Sequence, residues 1–248
     1  MKRITASFLL ILCLLSLCSC SEVKSNKQDE FPLEINQTDE HNLTAPMSRG
    51  AEKNAEQNQV SIGDMNNFRE VLLGNSSFYK VGSDENISIK ELYRCFTSDD
   101  TVKLKASSFT VIDLDEDGMD EIVLWLEIHE NEPFGCVILH SVEDKVYGYP
   151  LWHRAFNSLK TDGIFHFSSG AGSNGFGKIT FTPQEYAVKE ITFCQTHYTE
   201  KNEAVISFFV NSLPADRADF ETETEKQNSK QDAEKYSYTE DNIKNYIS

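Results

Sequence analysis

One stretch of the chain has residue types and spacing that define a chemistry: Asp113-Leu114-Asp115-Glu116-Asp117-Gly118-Met119-Asp120-Glu121. Counted from Asp113, carboxylates stand at loop positions 1, 3, 5 and 9, and side chains so spaced can converge on one hard cation. Gly118, at position 6, supplies the turn, and the main-chain carbonyl of Met119, at position 7, can ligate. The ion such oxygens suit is Ca²⁺, in a structural role. Mg²⁺ demands a tighter octahedron and keeps its waters. The competing reading is a surface turn that is acidic by chance.

Such a loop needs rigid ends. Phe109–Ile112 before it and Ile122–Leu126 after it are short apolar runs that read as strands. Upstream, Asp64 can cap a helix carrying Met65, Phe68, Val71 and Leu72 at helical spacing, which Gly74-Asn75 ends. Ser88-Ile89-Lys90-Glu91 reads as a capping box opening a second short helix through Cys95. Strands are expected at Val102–Ile112, Ile122–His129, Cys136–His140 and Lys145–Leu151, the last two forming a hairpin around Val142-Glu143-Asp144. Further strands are expected at Ala155–Leu159, Ile164–Phe167, Lys178–Thr182, Ala187–Cys194 and Ala204–Asn211. After Pro214 the pattern turns helical, and Thr239 can cap a last helix carrying Ile243, Tyr246 and Ile247. Strands in hairpin order, with short helices before and after, predict an α+β fold built on a mainly antiparallel sheet, as one domain over residues 61–248.

The N-terminus reads as a targeting signal. Lys2 and Arg3 precede an apolar run, Ile4 to Leu17, that is too short to span a hydrocarbon layer of ~30 Å. Leu17-Cys18-Ser19-Cys20 then resembles a bacterial lipobox, which implies a signal peptide over residues 1–19 and a lipid-modified Cys20. A plain signal peptide cut near Ser19 or Ser21 is the alternative. Two acyl chains on Cys20 suit stable anchoring to a membrane. Residues 20–60 are polar and aperiodic, and read as a tether spanning roughly 35 Å as a coil. The formal net charge of −17 becomes two units more negative once Lys2 and Arg3 are removed. That field repels nucleic acid and anionic headgroups and attracts divalent cations, so a nucleic-acid partner is not expected. Cys95, Cys136 and Cys194 remain in the mature chain, and either one disulfide with a free thiol or three buried thiols fits them.

The central loop departs from an EF-hand, since position 12 is Leu124 and strands rather than helices flank it. It resembles the Asp-x-Asp-x-Asp-Gly-x-x-Asp/Glu loops of FG-GAP and integrin-α-like repeats. On that resemblance Asp113, Asp115, Asp117 and Glu121 are ligands, Leu114 and Ile122 pin the loop to the core, and Glu116 and Asp120 face water. A single copy gives no support for a propeller. Phe109–Leu124, with Thr161–Ala171 and Tyr238–Ile243, also resembles uncharacterised secreted lipoproteins of Gram-positive bacteria over roughly residues 65–248. That resemblance implies an extracytoplasmic location on the outer face of the cell membrane and a single metal loop; it implies no activity.

Other motifs lack their context. Gly170-Ala-Gly172-Ser-Asn-Gly175 fits a dinucleotide pattern but precedes an expected strand, not a helix. Ser77-Phe-Tyr-Lys80 has no Lys-Thr-Gly partner, and His129-Glu130 lacks a second histidine. His153-Arg154, beside Trp152, could line a pocket. Two function classes follow: a non-catalytic surface module that binds a protein or glycan partner, and an envelope hydrolase acting on glycan or peptide. No catalytic residue is assigned. Two convergent carboxylates in a pocket outside the loop would favour the hydrolase. Replacing Cys20→Ala should move the protein from the membrane to the soluble fraction and abolish incorporation of labelled fatty acid. Identical fractionation, with no label in the wild type, would remove the anchor.

Overall fold

The strand over Glu121–Ile128 (β4) dictates the architecture. Ile122, Leu124 and Leu126 pack into one apolar cluster, while Val123 and Trp125 pack into another. Its neighbour Glu132–Val142 (β5) divides in the same way, with Val137 and Leu139 on one side and Cys136 and Ile138 on the other. Strands apolar on both faces must be covered on both faces.

In this computed structural model, which describes residues 65–247 apart from 84, 130 and 171, the covers are helices on one side and a second sheet on the other. The first sheet also holds Phe78–Lys80 (β1), Asn86–Ile87 (β2), Leu104–Ile112 (β3), Lys145–Trp152 (β6) and, late in the chain, Tyr236–Ser237 (β12). Its order is β12-β3-β4-β5-β6-β1-β2. Every pairing is antiparallel except β1 with β6, which is parallel. The second sheet is antiparallel, in the order β11-β10-β9-β8-β7. Its strands are Phe165–Gly170 (β7), Ser173–Phe181 (β8), Tyr186–Tyr198 (β9), Ala204–Val210 (β10) and Leu213–Ala215 (β11). The fold is therefore α+β and mainly antiparallel, as expected.

The helical cover consists of residues 65–72 (α1), a 3-10 helix at Ile89–Cys95 and the short helix Glu240–Tyr246 (α3). Met65, Phe68, Val71, Leu72, Leu92 and Ile243 bring its apolar face onto the first sheet. α1 stops at Gly74 (φ +75), where Asn75 N–H bonds the Glu70 carbonyl and Gly74 N–H that of Val71. These two bonds close the glycine-terminated helix end the sequence predicts. The helix Arg217–Asn228 (α2) lies against the second sheet, with the rings of Phe220 and Phe208 5.0 Å apart. Asp216 and Thr239 cap α2 and α3, accepting N–H bonds from Asp219 and Asn242.

Some expectations change. Ser88 does not cap the 3-10 helix through its side chain; its hydroxyl bonds the Glu91 carboxylate instead, so no capping box forms. Residues 155–159 are turn, not strand, apart from an isolated bridge between Asn157 and His166. Phe156 and Leu159 are buried between the sheets all the same, and it was their apolar character that read as strand. The Gly170–Gly175 segment joins β7 to β8 and opens no helix. Lys80 Nζ donates to the Arg94 carbonyl rather than serving Ser77. The β5–β6 hairpin is as expected, with Glu143 and Asp144 at φ +50° and +62° in its two-residue turn. The signal peptide, Cys20, the tether and the Asp64 cap lie outside the described residues. Among the described residues no helix is long and apolar enough to cross a membrane.

Cys95, Cys136 and Cys194 are all free. Burial pushes the Cys95 thiol up to about 12 and raises Cys136 as well, while Cys194 is half-buried on β9. Since the thiolate is the nucleophile, a chain beginning at Ser21 should react at Cys194 alone while native. All three thiols should react in denaturant, and Cys194→Ser should abolish the fast phase. This is read with an aromatic disulfide reagent; two fast thiols in the native protein would contradict the burial of one of them.

Candidate metal centre

The loop joins the end of β3 to the start of β4, in the middle of the first sheet. Its shape follows from residues that cannot face water. Leu114 is fully buried in the cluster between the sheets, and Ile122 is fully buried on the helical side. These two anchors hold the ends, as the resemblance implied. Between them the backbone turns through positive φ at Glu116 (+63°) and at Gly118 (+90°), where glycine carries no strain.

Three of the expected ligands meet. Asp113, Asp115 and Asp117 each offer a carboxylate oxygen, and these oxygens lie within 4.8 Å of one another. Oxygens bound to one Ca²⁺ at roughly 2.4 Å are at most about 4.8 Å apart, so the spacing fits one ion. Local bonds shape the cluster: Gly118 N–H donates to Asp113 Oδ2 at 3.1 Å, and Met119 N–H to Asp117 Oδ1 at 2.8 Å. Asp113 Oδ1 and Asp115 Oδ1 are buried and have no hydrogen-bond partner. Burial, reinforced by the charge of Asp117, raises the Asp115 carboxyl above its ordinary value. Each of these features is what a bound cation would relieve.

Glu121 stands outside that set. It is buried at 1% exposure, and both of its oxygens are engaged. Oε2 accepts the Leu114 N–H at 2.8 Å, and Oε1 lies 2.8 Å from Nδ1 of His140. Burial pushes Glu121 up to about 7, against the opposing pull of His140. Burial alone would lower His140, but the hydrogen bond and charge of Glu121, with Asp115 and Asp117, leave it raised. The His140 ring stacks on Phe181 of β8 at 5.0 Å, so the pair reaches the second sheet. His140 was not identified from sequence. The signal lay in strand pairing: Ile122 faces Leu139, and one step further along the same register brings position 121 beside position 140.

The loop also touches the second sheet directly. Lys178 on β8 pairs with the exposed Glu116 at 2.5 Å, and the turn at Gly163 lies against the Leu114 carbonyl. Asp120 is exposed, as expected. Elsewhere, His153 does line a cleft, in company with Trp125 rather than Trp152. Comparison with protein-family models, with curated proteins and with solved structures returned no match.

Glu121→Ala would leave the Leu114 N–H and the His140 ring buried without a partner. Breaking a buried pair in this way costs about 3 kcal/mol or more. Urea unfolding in the presence of a chelator, so that no ion contributes, should show the loss as a lower midpoint. Adding His140→Phe should cost less than the sum of the two single changes, because they share one interaction. Strict additivity would mean the contact carries no coupling.

Proposed function

We propose that the protein is a lipid-anchored module on the outer face of the cell membrane. Cys20 holds it there, residues 20–60 set it off from the headgroups, and the folded part binds a protein or glycan partner without catalysing a reaction. A calcium ion in the Asp113–Glu121 loop is structural. Asp113, Asp115 and Asp117 hold it, with the Met119 carbonyl, and Glu121 fixes the loop against β5 through His140. The observation that carries the metal reading is the pair of buried, unpartnered oxygens, Asp113 Oδ1 and Asp115 Oδ1, inside a cluster of three carboxylates. A divalent cation answers both, and it cancels the repulsion between like charges held this close.

The ion's effect is mechanical. The loop carries Leu114 into the cluster between the sheets and Glu116 to Lys178 on the second sheet. Fixing the loop therefore fixes the docking of one sheet on the other. A hydrolase would need a second carboxylate converging in a cleft outside the loop. Among the described residues, the cleft at His153 offers Glu127, which Lys105 holds at 3.4 Å, and a cleft lined by Glu70 and Asp144 has Lys145 in its lining as well.

A cation bound only by the native state stabilises it by mass action, by roughly 2.7 kcal/mol when free calcium is about 100-fold above the dissociation constant. Millimolar extracellular calcium supplies that excess for a dissociation constant of about 10 µM, inside the range of such loops. A chelator should lower the melting temperature by several degrees, and calcium should restore it better than magnesium. Asp115→Asn should weaken the response and Asp113→Ala abolish it. An unchanged melting curve, together with no calorimetric heat at millimolar calcium, would reduce the loop to an acidic turn.

A further inference from the structure

Away from the loop, a cleft of about 550 Å³ opens where β3, β4, the turn after β6 and β7 meet the segment leading into β12. Its chemistry runs against that of the chain as a whole. In a protein of net charge −17, its lining gathers His153, His166 and Lys235 around a single carboxylate, Glu127, already held by Lys105.

These groups are poised rather than used up. Among the described residues Lys235 forms no ion pair; its Nζ sits 3.6 Å over the ring of Trp125. Its near neighbour Asp232 bonds the buried Lys160 instead, at 2.7 Å. Burial holds the Lys235 ammonium below its ordinary value, the response of a cation short of a counter-charge. The His153 ring has no hydrogen-bond partner among the described residues, although its carbonyl accepts from Asn157. His166 is fixed through Nδ1, 3.1 Å from Asn157 Oδ1, and its other nitrogen has no hydrogen-bond partner among the described residues. Trp125, only 8% exposed, is itself held by an Nε1–H bond to Thr110.

The backbone is modified at the same place. β3 carries a bulge at Ser107, and β5 carries one at Phe134, opposite Leu126 and Glu127 of β4; both abut the cleft. Ser158, also on the lining, holds φ +45°. Bulges and left-handed non-glycine residues gather where a fold re-aims side chains for a purpose beyond packing.

We infer that this cleft is a binding site for a small organic anion, a carboxylate or phosphate group carried on a flat apolar body. Lys235 and His153 meet the charge. Trp125 and Pro133 meet the apolar body, in a space of the size small-ligand sites occupy. Lys105, 3.4 Å from Glu127, offsets the repulsion that this carboxylate would otherwise exert on an incoming anion.

The probes are benzoate, phenyl phosphate and, as the uncharged control, benzyl alcohol. They are titrated into the calcium-loaded protein while the ring resonances of His153 and His166 are followed. Trp125 fluorescence is read in parallel in a Trp152→Phe background. At least one anion should shift both rings along a saturable curve and alter Trp125 emission, while benzyl alcohol should not. Saturation by benzoate alone assigns a carboxylate, and by phenyl phosphate alone a phosphate. Lys235→Gln, which removes the charge and keeps most of the stem, should weaken the binding by about tenfold, the loss of one charge-assisted hydrogen bond, with an unchanged melting temperature showing that the fold is intact. Three results overturn the site: no saturable shift with either anion, equal binding of benzyl alcohol, or unchanged affinity in Lys235→Gln.

Discussion

The first sheet is buried on both faces, and that constraint governs what its central strands can carry. A polar side chain there must bring its own partner. Each that occurs does so. Thr110 accepts the Trp125 indole N–H at 3.1 Å, and Glu121 takes the Leu114 N–H and the His140 ring. The second sheet follows the same rule. Thr192, fully buried, accepts the Phe176 N–H beside the bulge in β9. Besides Thr224 Oγ1 and Gln227 Oε1 on α2, the buried side-chain atoms without a partner among the described residues are carboxylate oxygens of Asp113 and Asp115. They lie where the constraint passes from the core to the loop.

The loop thus has two kinds of acid. Glu121 belongs to the core and is satisfied by protein. The three aspartates belong to the cluster and are satisfied only in part. A sequence motif treats positions 1, 3, 5 and 9 as equals, yet the fold separates the last from the others by burying it. Glu121 links the loop to β5, and through the stacked rings of His140 and Phe181 to β8. Coupling between ion and core would travel along that line, and along Leu114 and Lys178.

The legible parts of the sequence were those set by local physics. The run Ile122–Leu126 read as strand because β-branched and large apolar residues fill both faces of β4. Gly74, Gly118 and Thr239 act through their own backbone or their nearest N–H groups, so their roles were visible in short windows. Longer-range features were not visible. The parallel pairing of β1 with β6 joins Tyr79 to Tyr147, and nothing near residue 79 announces it. β11 and β12 are too short for any periodicity, and Pro214 in β11 argued against a strand although an edge tolerates it. The turn at 155–159 misled because Phe156 and Leu159 are apolar and buried as strand residues are, while filling a gap between sheets. The Glu121–His140 pair and the cleft around Trp125 each needed a strand register before they could be seen.

The late segment of the chain has a kinetic consequence. β12 supplies the edge of the first sheet beside β3, and α3 sets Ile243 and Ile247 into the cluster that α1 begins. Tyr238 donates its hydroxyl to the Leu72 carbonyl, and Arg69 donates to that of Ile247 at 2.7 Å from Nε. These contacts join residues more than a hundred and sixty positions apart. The β3–β6 meander, by contrast, is made of neighbouring hairpins that can form early. Closing long loops is slow, so the meander forms first and waits. The cluster on the helical side stays incomplete until Ile243 and Ile247 arrive. A chain released from a secretion pore in extended form would suffer no penalty from that order, since beginning and end arrive almost together. A chain folding during synthesis would hold that cluster incomplete for as long as the remaining hundred residues took to appear.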